Sequence, residues 1–453
     1  MRALRVVLRR ALTLALPLVF LCPAAAVSPL LLTVGEVTDR SAVIWGRGFE
    51  VGPLTVEARP DGGEGTVTGS TQIAPERDFT GKVVLTNLLP ATRYAYRLRH
   101  GGAEGSGHFV TAPRPGDPRP VTFLWSGDLG GRSFCRHIDD GYAIFRTMAT
   151  RNPDFFLFVG DTIYADHRCG GPDRVPGYDF VATTLEEFRE KHRYNRADPH
   201  LQAFFRATSV YAIWDDHEVR NDFAGTVEPL MPVGRRAFLD YWPIVPPAEE
   251  PGRLYRRLRW GQLLEVFILD TRQYRSDNRQ PDGPGKTMLG PAQRRWLVDG
   301  VTGSDAVWKV VVSSVALAVP TGRTGRDSWS GATPWGLPEE NPTGFATERD
   351  AILQAFRAGK VKNLVWIAAD VHRAELIRHR PWPDFTFHEF IAGPLAASRG
   401  RPWALDASLN PRSLFALGDT DNFGEVAIDR GGLTVRIFDA SGALRAQRRL
   451  APG

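Results

Sequence analysis

The sequence has no internal repeats, no low-complexity segment and little excess charge of either sign. Its formal net charge of +5 at first favours nucleic acid or a membrane surface as a partner, but four of the arginines lie in the first ten residues. Without Arg2, Arg5, Arg9 and Arg10 the balance is +5 − 4 = +1. We therefore expect no specific recognition of nucleic acid.

Cysteine is also scarce. The chain has 3 cysteines, of which Cys135 and Cys169 lie outside the N-terminal leader. In an oxidising compartment, two thiols usually pair or stay buried. The sequence slightly favours a disulfide between them and leaves two buried thiols as the alternative.

Residues 1–26 have the pattern of a secretory signal peptide. A basic start is followed by the apolar run Ala11–Leu21 and by the small residues Ala24–Ala26. The run is short and contains Pro17, which argues against an uncleaved membrane anchor. We expect an extracytoplasmic protein (periplasm, cell wall or medium) with no stable membrane insertion after cleavage. The pair Arg9-Arg10 is typical of twin-arginine (Tat) signals. The sequence is compatible with export by either the Tat or the Sec route.

At 453 residues the chain exceeds what one hydrophobic core usually organises, so two domains are expected. Short strand patterns separated by turn residues fill residues 27–115, with the spacing of a β-sandwich. The segment Leu88–Tyr94 resembles the turn and tyrosine-bearing strand of fibronectin type III domains, and the prolines of Ala112–Pro120 indicate a linker. The predicted strands are Leu31–Val34, Ser41–Trp45, Leu54–Ala58, Lys82–Leu85, Tyr94–Leu98 and Gly107–Val110.

From residue 121 onward, strand patterns alternate with helical ones. The segment Thr184–Glu187 has the form of a capping box and predicts a helix through about His192. Near the end, Val426–Ile428 and Leu433–Phe438 flank two glycines and predict a closing β-hairpin.

Five apolar runs that each stop at an acidic residue are the most informative pattern. Such runs are typical of strands buried on both faces of layered sheets, and ligands bind outside the carboxyl ends of these strands. Carboxylates gathered there would repel one another unless a cation held them, so the pattern predicts a metal site at one sheet edge. The runs are Val121–Trp125, Phe155–Val159, Val210–Trp214, Leu263–Leu269 and Leu364–Ala369, and they precede Asp128, Asp161, Asp215-Asp216, Asp270 and Asp370.

Motifs at four of these strand ends carry a family resemblance. They are Ser126-Gly127-Asp128, the segment Gly160–Asp166, the segment Trp214–Asp222, and Ala369-Asp370-Val371-His372. In this order they resemble the calcineurin-like metallophosphatases, in the branch of the PhoD-type alkaline phosphatases and phosphodiesterases, over essentially all of the mature chain. The resemblance implies an α+β fold. A layered αββα metallophosphatase core, a β-sandwich flanked by helices, would occupy residues 116–453, preceded by a fibronectin type III-like domain at residues 27–115.

The resemblance also implies a site for two cations. Asp161 follows Gly160, where a side chain can meet two ions without crowding, and we expect it to bridge them and to be essential for catalysis. His217 is expected to protonate the leaving oxygen or to hold the phosphate, and Asn221 to contact the substrate. The metal ligands implied are Asp128, Asp161, Tyr164, Asp216, Asp370 and His372.

Two further acids have less defined roles. Asp215 is expected either to bind metal or to orient a group that does. Asp270 precedes a loop in the family and is expected to be structural.

One position departs from the family pattern. The best-known PhoD-type enzymes have an iron-binding cysteine where this chain has Asp128, as in a related subgroup with Ser-Gly-Asp. Cys135 can reach the site only if it is not paired with Cys169. The implied ligands are mostly oxygen with a single histidine, whereas zinc sites usually carry two or more His or Cys. They fit Fe³⁺ with Ca²⁺, the cofactor of the family, and Mg²⁺ or Mn²⁺ in place of Ca²⁺.

The expected activity is hydrolysis of phosphate monoesters, diesters or both, in small molecules or polymers, by a hydroxide activated between two metals. No residue is a candidate for a covalent nucleophile. Hydrolysis of phosphotriesters or phospholipid head groups would differ only in the pocket, which we expect the loop Gly322–Asn341 to shape. The alternative of another class is a secreted, metal-stabilised binding module without catalysis.

Overall fold

The structure is a computed structural model of the chain, and it describes residues 30–130, 135–322 and 325–453. The predicted signal peptide, residues 1–26, lies outside these ranges. Within them, no helix combines the length and the apolar character needed to cross a bilayer.

Seven strands form the N-terminal part in two antiparallel layers, β1-β2-β5 and β4-β3-β6-β7. The sequence predicts six of them and misses β4. The residues of β4 alternate between half-buried and exposed and include only two large apolar side chains, so the apolar signal is weak. The strands are β1 (Leu31–Gly35), β2 (Ala42–Arg47), β3 (Gly52–Pro60), β4 (Val67–Ile73), β5 (Thr80–Leu85), β6 (Arg93–His100) and β7 (Ala103–Val110).

Strands and α-helices are interspersed from Val121 to Ala368, and six further strands follow without an α-helix in the described chain. The predicted capping box is confirmed, because Thr184 accepts a hydrogen bond from the Glu187 backbone N–H and the Glu187 carboxylate accepts one from that of Thr184. The strands are β8 (Val121–Ser126), β9 (Phe155–Val159), β10 (Ser209–Ile213), β11 (Arg256–Trp260), β12 (Leu264–Ile268), β13 (Trp308–Val312), β14 (Leu364–Ala368), β15 (Ala374–Trp382), β16 (Phe385–Ile391), β17 (Arg412–Leu417), β18 (Asn422–Asp429), β19 (Gly432–Asp439) and β20 (Leu444–Leu450). The helices are α1 (Ile144–Ala149), α2 (Leu185–Arg196), α3 (Pro199–Phe205), α4 (Met231–Tyr241), α5 (Gly290–Thr302) and α6 (Ala346–Ala358).

Two large mixed sheets organise these strands. One has the order β20-β19-β18-β8-β9-β10-β1-β2-β5 and the other β11-β12-β13-β14-β16-β15-β17. The strands β8, β9 and β10 run parallel in the first sheet, as do β12, β13 and β14 in the second. The predicted hairpin is confirmed as β18–β19, and it pairs with β8.

The two sheets pack face to face and helices cover their outer faces. Phe155 contacts Trp260 across the interior, with ring centroids 4.8 Å apart. On the outer face of the first sheet, Phe156 packs against Phe204 of α3. On that of the second, Phe267 packs with the leucines and valines of α5 and α6. This is the layered helix–sheet–sheet–helix arrangement that the sequence predicts.

The N-terminal strands are joined to the rest of the protein. β1 lies parallel to β10, so the first sheet runs through both parts. Near the junction, buried Asp78 accepts hydrogen bonds from Arg47 at 2.8 Å, from Arg193 of α2 at 2.6 Å and from Tyr241 of α4. The fibronectin type III-like character of residues 27–115 stays a prediction.

Cys135 and Cys169 form a disulfide with their Cα atoms 5.4 Å apart. The pairing that the sequence slightly favours is therefore the one observed. It removes Cys135 as a substitute metal ligand, because both sulfur atoms are used in the bond.

Close packing between β8 and β18 gives a stability prediction. A Cβ atom at Gly424 would lie well inside van der Waals contact with the indole of Trp125. Gly424→Ala should therefore lower the free energy of unfolding by about 1–3 kcal/mol, the usual cost of overpacking a core. Gly116 is the matched control, since a Cβ there meets nothing within 4 Å and Gly116→Ala should be close to neutral. Urea denaturation measures both, and equal midpoints would contradict the packing argument.

Candidate metal centre

Tight turns place the strand-end acids. A Cβ atom at Gly127 would lie 2.6 Å from the Val159 carbonyl oxygen and 2.7 Å from the Ala369 Cβ, so the ends of β8, β9 and β14 meet where only glycine fits. At the next turn, Gly160 has a φ of +83° and its built Cβ would touch Asp215. The glycines of the Ser-Gly-Asp and Gly-Asp motifs are thus explained by close approach of the strands.

Several candidate ligands have strained backbone conformations. Asp128, Asp161, Asp370 and His372 all have φ between 51° and 66°, in the left-handed region. A non-glycine residue there costs on the order of 1–3 kcal/mol unless its surroundings compensate. Such strain clusters at functional sites, and here the turns direct side chains from two sheets toward one point.

Asp161 lies at the centre of the site. Ligand atoms of Asp128, Asp161 and His372 lie within 4.8 Å of one another, and so do those of Asp161, Asp216 and His217. The two groups share Asp161 alone. One carboxylate that belongs to two adjacent groups is the arrangement needed to hold two cations side by side.

Unpaired buried oxygens show that these groups suit cations. Neither carboxylate oxygen of Asp128 has a hydrogen-bond partner in the described chain, and Oδ1 of Asp216 and Oδ2 of Asp370 also lack one. Burial, and then repulsion from neighbouring carboxylates, raises the pKa of Asp128, Asp161 and Asp370 well above the usual range. Bound cations would relieve both effects, so the residues present fit a two-metal group.

Tyr164 and His372 complete one side of the centre. The Tyr164 hydroxyl lies 3.1 Å from Nε2 of His372, and Nδ1 of His372 contacts the carbonyl and, at 2.9 Å, the hydroxyl oxygen of Ser398. This contact directs Nε2 toward Asp128, 3.8 Å away. Burial and the charges of Asp161 and Asp128 raise the pKa of Tyr164 well above its usual value, and a bound cation would lower it.

His217 lies on the other side, stacked on Tyr164 with ring centroids 4.2 Å apart. Its Nδ1 is 2.8 Å from Asp166, whose second oxygen accepts a hydrogen bond from the backbone N–H of Asn221. Burial lowers the pKa of His217, but the charges of Asp216 and Asp166 outweigh it and raise the pKa to about 9. Asp166 is a residue to which the sequence assigned no role, although it belongs to the Gly160–Asp166 motif.

Asp215 and Asp270 are held by the protein itself. Oδ1 of Asp215 accepts hydrogen bonds from Arg272 at 2.6 Å and Ser314 at 2.7 Å. Asp270 accepts bonds from the Trp214 indole at 2.9 Å and the Gln273 amide at 2.7 Å, and lies outside both carboxylate groups. These contacts favour an orienting role for Asp215 and a structural one for Asp270.

Two buried charges that sequence reasoning missed support these turns. Arg272, wholly buried, binds Asp215 and Asp327 and approaches Asp216 to 3.7 Å. Glu218 accepts bonds from Thr162 through one oxygen and from the Asp215 backbone N–H through the other. Glu218 lies inside the Trp214–Asp222 motif and was visible in the sequence, but its hydrogen-bond partners were not.

A cleft of about 650 Å³ opens over the centre. Its lining includes Asp161, Tyr164, Asp216, His217, Asn221, Asp370 and His372, so every predicted site residue except Asp128 faces it. From the loop Gly322–Asn341, Gly322 is the described residue that lines the cleft. Part of the lining comes from Ser398, Arg399, Gly400 and Trp403, which the sequence analysis did not single out.

The family model for PhoD-like phosphatases matches residues 131–435. This chain belongs to the PhoD-like phosphatase family. The resemblance that the motifs carry is therefore confirmed, and a phosphoric ester hydrolase is the family's class of enzyme.

Relatives agree with this assignment. Alkaline phosphatase D of Bacillus subtilis (strain 168) is 27% identical over 337 residues, which are 67% of this chain and 55% of that protein. The chain thus matches just over half the length of this relative. Its name describes that protein's activity and not by itself the activity of this one.

Solved structures establish the fold. A structure of PhoD has a TM-score of 0.77 at 19% identity and covers 95% of this chain and 94% of that chain. Purple acid phosphatase PPD1 from seeds of yellow lupin (Lupinus luteus) has a TM-score of 0.65 at 14% identity, covering 93% and 74%. These identities are low, so the likeness concerns the fold, which is metallophosphatase-like as the sequence predicts.

The shared position of Asp161 gives a prediction that separates it from Asp270. Asp161→Asn removes a charge that both carboxylate groups use, so the purified variant should lose at least one metal ion and several powers of ten in turnover. Asp270→Asn should keep its metal and lose about 1–3 kcal/mol of stability through its hydrogen bonds. Elemental analysis and initial rates of both variants test this. Metal loss in Asp270→Asn with full metal in Asp161→Asn would show that the centre is misplaced.

Proposed function

We propose that this protein is a metal-dependent hydrolase of phosphate monoesters, diesters or both, and that it uses two cations. The observation that carries the proposal is the position of Asp161, common to two groups of potential ligands at the base of an open cleft. Membership of the PhoD-like phosphatase family supports the reaction class.

The total charge of the proposed ligands indicates which charges the two metal ions carry. Asp128, Asp161, Asp216 and Asp370 contribute four negative charges, which two divalent cations would balance. A phenolate at Tyr164 adds a fifth charge, and a trivalent ion in one position would balance it. We therefore propose Fe³⁺ beside Tyr164, Asp128 and His372, with Ca²⁺, Mg²⁺ or Mn²⁺ on the side of Asp216 and Asp370. The carboxylate of Asp128 is a harder ligand than the thiolate of the family's cysteine, and iron can still bind at this position.

The protein's own residues have distinct tasks. When bound, the cations would supply an activated water molecule and neutralise charge on the phosphoryl oxygens. Asp161 would fix the spacing of the ions, and Asp215 with Arg272 would fix the turn that carries Asp216. His217, protonated by the pairing with Asp166, would face the substrate through Nε2 and donate a proton to the leaving oxygen or a hydrogen bond to the phosphate. Asn221 would contact the substrate at the cleft wall.

We also propose export and a fibronectin type III-like first domain. The Cys135–Cys169 disulfide supports an oxidising compartment, in agreement with the leader pattern of residues 1–26.

The seven N-terminal strands in two layers support a fibronectin type III-like domain. So does the contact in which the Leu89 backbone N–H donates to the Tyr94 hydroxyl at 2.9 Å, as in a tyrosine corner.

The metal proposal predicts a coloured protein. If Tyr164 binds Fe³⁺ as a phenolate, the native protein should absorb visible light and hydrolyse p-nitrophenyl phosphate or its bis ester. Tyr164→Phe should bleach or shift the band and lower activity, whereas Tyr178→Phe, a buried tyrosine that does not line the main cleft, should leave the band unchanged. A colourless, zinc-only and fully active protein would contradict the iron assignment. A metal-loaded protein that hydrolyses neither ester would favour the non-catalytic binding module.

The role of His217 predicts a dependence on the leaving group. His217→Asn should keep both metals, because Asp161 and Asp216 of its group remain and Nδ1 of His217 is already engaged by Asp166. It should lower turnover by about 10²–10⁴-fold for alkyl phosphates, whose leaving oxygen needs a proton, and by much less for p-nitrophenyl phosphate. His200→Asn, away from the cleft, is the control. Equal losses on both substrates would favour a role in holding the phosphate.

A further inference from the structure

Two tryptophans are exposed in a protein that otherwise covers this residue type. Trp335 is 77% and Trp403 is 55% exposed, whereas the other tryptophans are buried or half-buried. Leaving a large aromatic surface in water is unfavourable, so an exposed tryptophan beside a cleft marks a binding position better than a polar residue does.

Only one of the two reaches the cleft. Trp403 lies in the cleft lining together with Asp161, His217 and His372, and Trp335 does not. Within the described residues, neither another aromatic ring nor a cationic side chain packs on the Trp403 ring. Because Trp403 is 55% exposed and lines the cleft, part of its side chain can contact a ligand that enters there.

The segment that carries Trp403 is held at both ends. On one side, the Gly400 N–H donates to the His372 carbonyl oxygen at 2.7 Å, and the Gly400 carbonyl accepts from Asp419 at 2.9 Å. On the other side, Asp406 binds Ser330 and Arg349, each at 2.7 Å. A residue held between two anchors loses little conformational entropy when a ligand stacks on it.

The first anchor also ties this segment to the metal centre, because His372 belongs to the proposed ligand set. The cleft of about 650 Å³ is within the range of roughly 300–1,000 Å³ typical of small-molecule sites, and a phosphoryl group at the metals fills a small part of it. The remainder of the substrate, its alcohol portion, must occupy the space that Trp403 borders.

The surroundings of Trp403 indicate the shape of that portion. Neighbouring rim residues are polar, with Arg399 paired to Asp421 and Arg401 paired to Asp419. An acyl chain would need a continuous apolar lining, whereas a flat ring with polar edges needs one aromatic face and polar groups around it.

We propose that Trp403 stacks on the alcohol portion of the substrate and selects phosphoesters in which that portion carries a planar ring, such as a nucleobase. This inference rests on the proposed function and specifies its substrate class. Trp403 acts on binding and selectivity and takes no part in the chemical step.

Two substrates with the same leaving alkoxide test the inference. Adenosine 5′-monophosphate and methyl ribofuranoside 5-phosphate differ in the base alone. The kcat/KM of the native enzyme should be roughly 5- to 150-fold higher for the nucleotide, the range for a base stacked on an aromatic side chain, mainly through a lower KM. Trp403→Ala should abolish this preference and Trp403→Phe should retain most of it. Trp335→Ala, the matched control at an exposed tryptophan outside the cleft, should leave the preference unchanged.

The outcomes separate this inference from the proposed function. Hydrolysis of both esters with equal kcat/KM, or an unchanged preference in Trp403→Ala, overturns the role of Trp403 and leaves the phosphoesterase intact. Hydrolysis of neither ester, nor of an aryl phosphate, by the metal-loaded protein overturns the proposed function. In that case, quenching of tryptophan fluorescence by adenosine still decides whether the rim binds a planar ring: quenching lost in Trp403→Ala supports it, and no quenching in the native protein refutes it.

Discussion

Negative charge buried at the strand ends is the constraint on which this structure depends. The carboxylates of Asp128, Asp161, Asp216 and Asp370 meet where two sheets converge and accept few hydrogen bonds. Burial raises the pKa of three of them, Asp128, Asp161 and Asp370, so their ionised forms are unfavourable without a cation. The protein offsets a fifth, Asp215, with the wholly buried Arg272, which also approaches Asp216. Asp128, Asp161 and Asp370 have no arginine in direct contact within the described chain. The protein therefore neutralises its own charge only in part, and the remainder favours bound cations.

That concentration of charge needs a rigid frame. The left-handed backbone at Asp128, Asp161, Asp370 and His372 is unfavourable residue by residue, and the aromatic and aliphatic core between the sheets holds it in place. Glu218 adds a direct link between the turns after β9 and β10. The site is thus positioned by packing on one side and by a small polar network on the other, which fixes ligands from both sheets before any ion binds.

The N-terminal strands belong to the same frame. Their sequence consists of short strand patterns separated by turn residues, unlike the rest of the chain, and predicts a separate β-sandwich. In the structure, β1 extends the first sheet beside β10, and Asp78 accepts bonds from Arg193 of α2 and Tyr241 of α4. Because Asp215 and Asp216 follow the end of β10, this sheet extension lies against one of the strands whose ends carry the candidate metal centre. The linker prolines therefore mark a change of sequence pattern and not a break in the sheet.

Elements with local causes are predictable from the amino-acid sequence alone. Apolar runs predicted the buried strands, the Thr184–Glu187 capping box predicted the start of α2, and the acids and glycines at strand ends predicted the place of the candidate centre. The strand β4 was not predicted, because it contains few large apolar residues. The residues that support the site are brought together by long-range packing: Arg272 lies 57 residues from Asp215, and Asp166 lies 51 from His217. A local pattern reports that a side chain is buried or that a turn is tight. The local pattern does not identify the hydrogen-bond partner of that side chain, because the partner depends on how distant strands pair and how the two sheets pack.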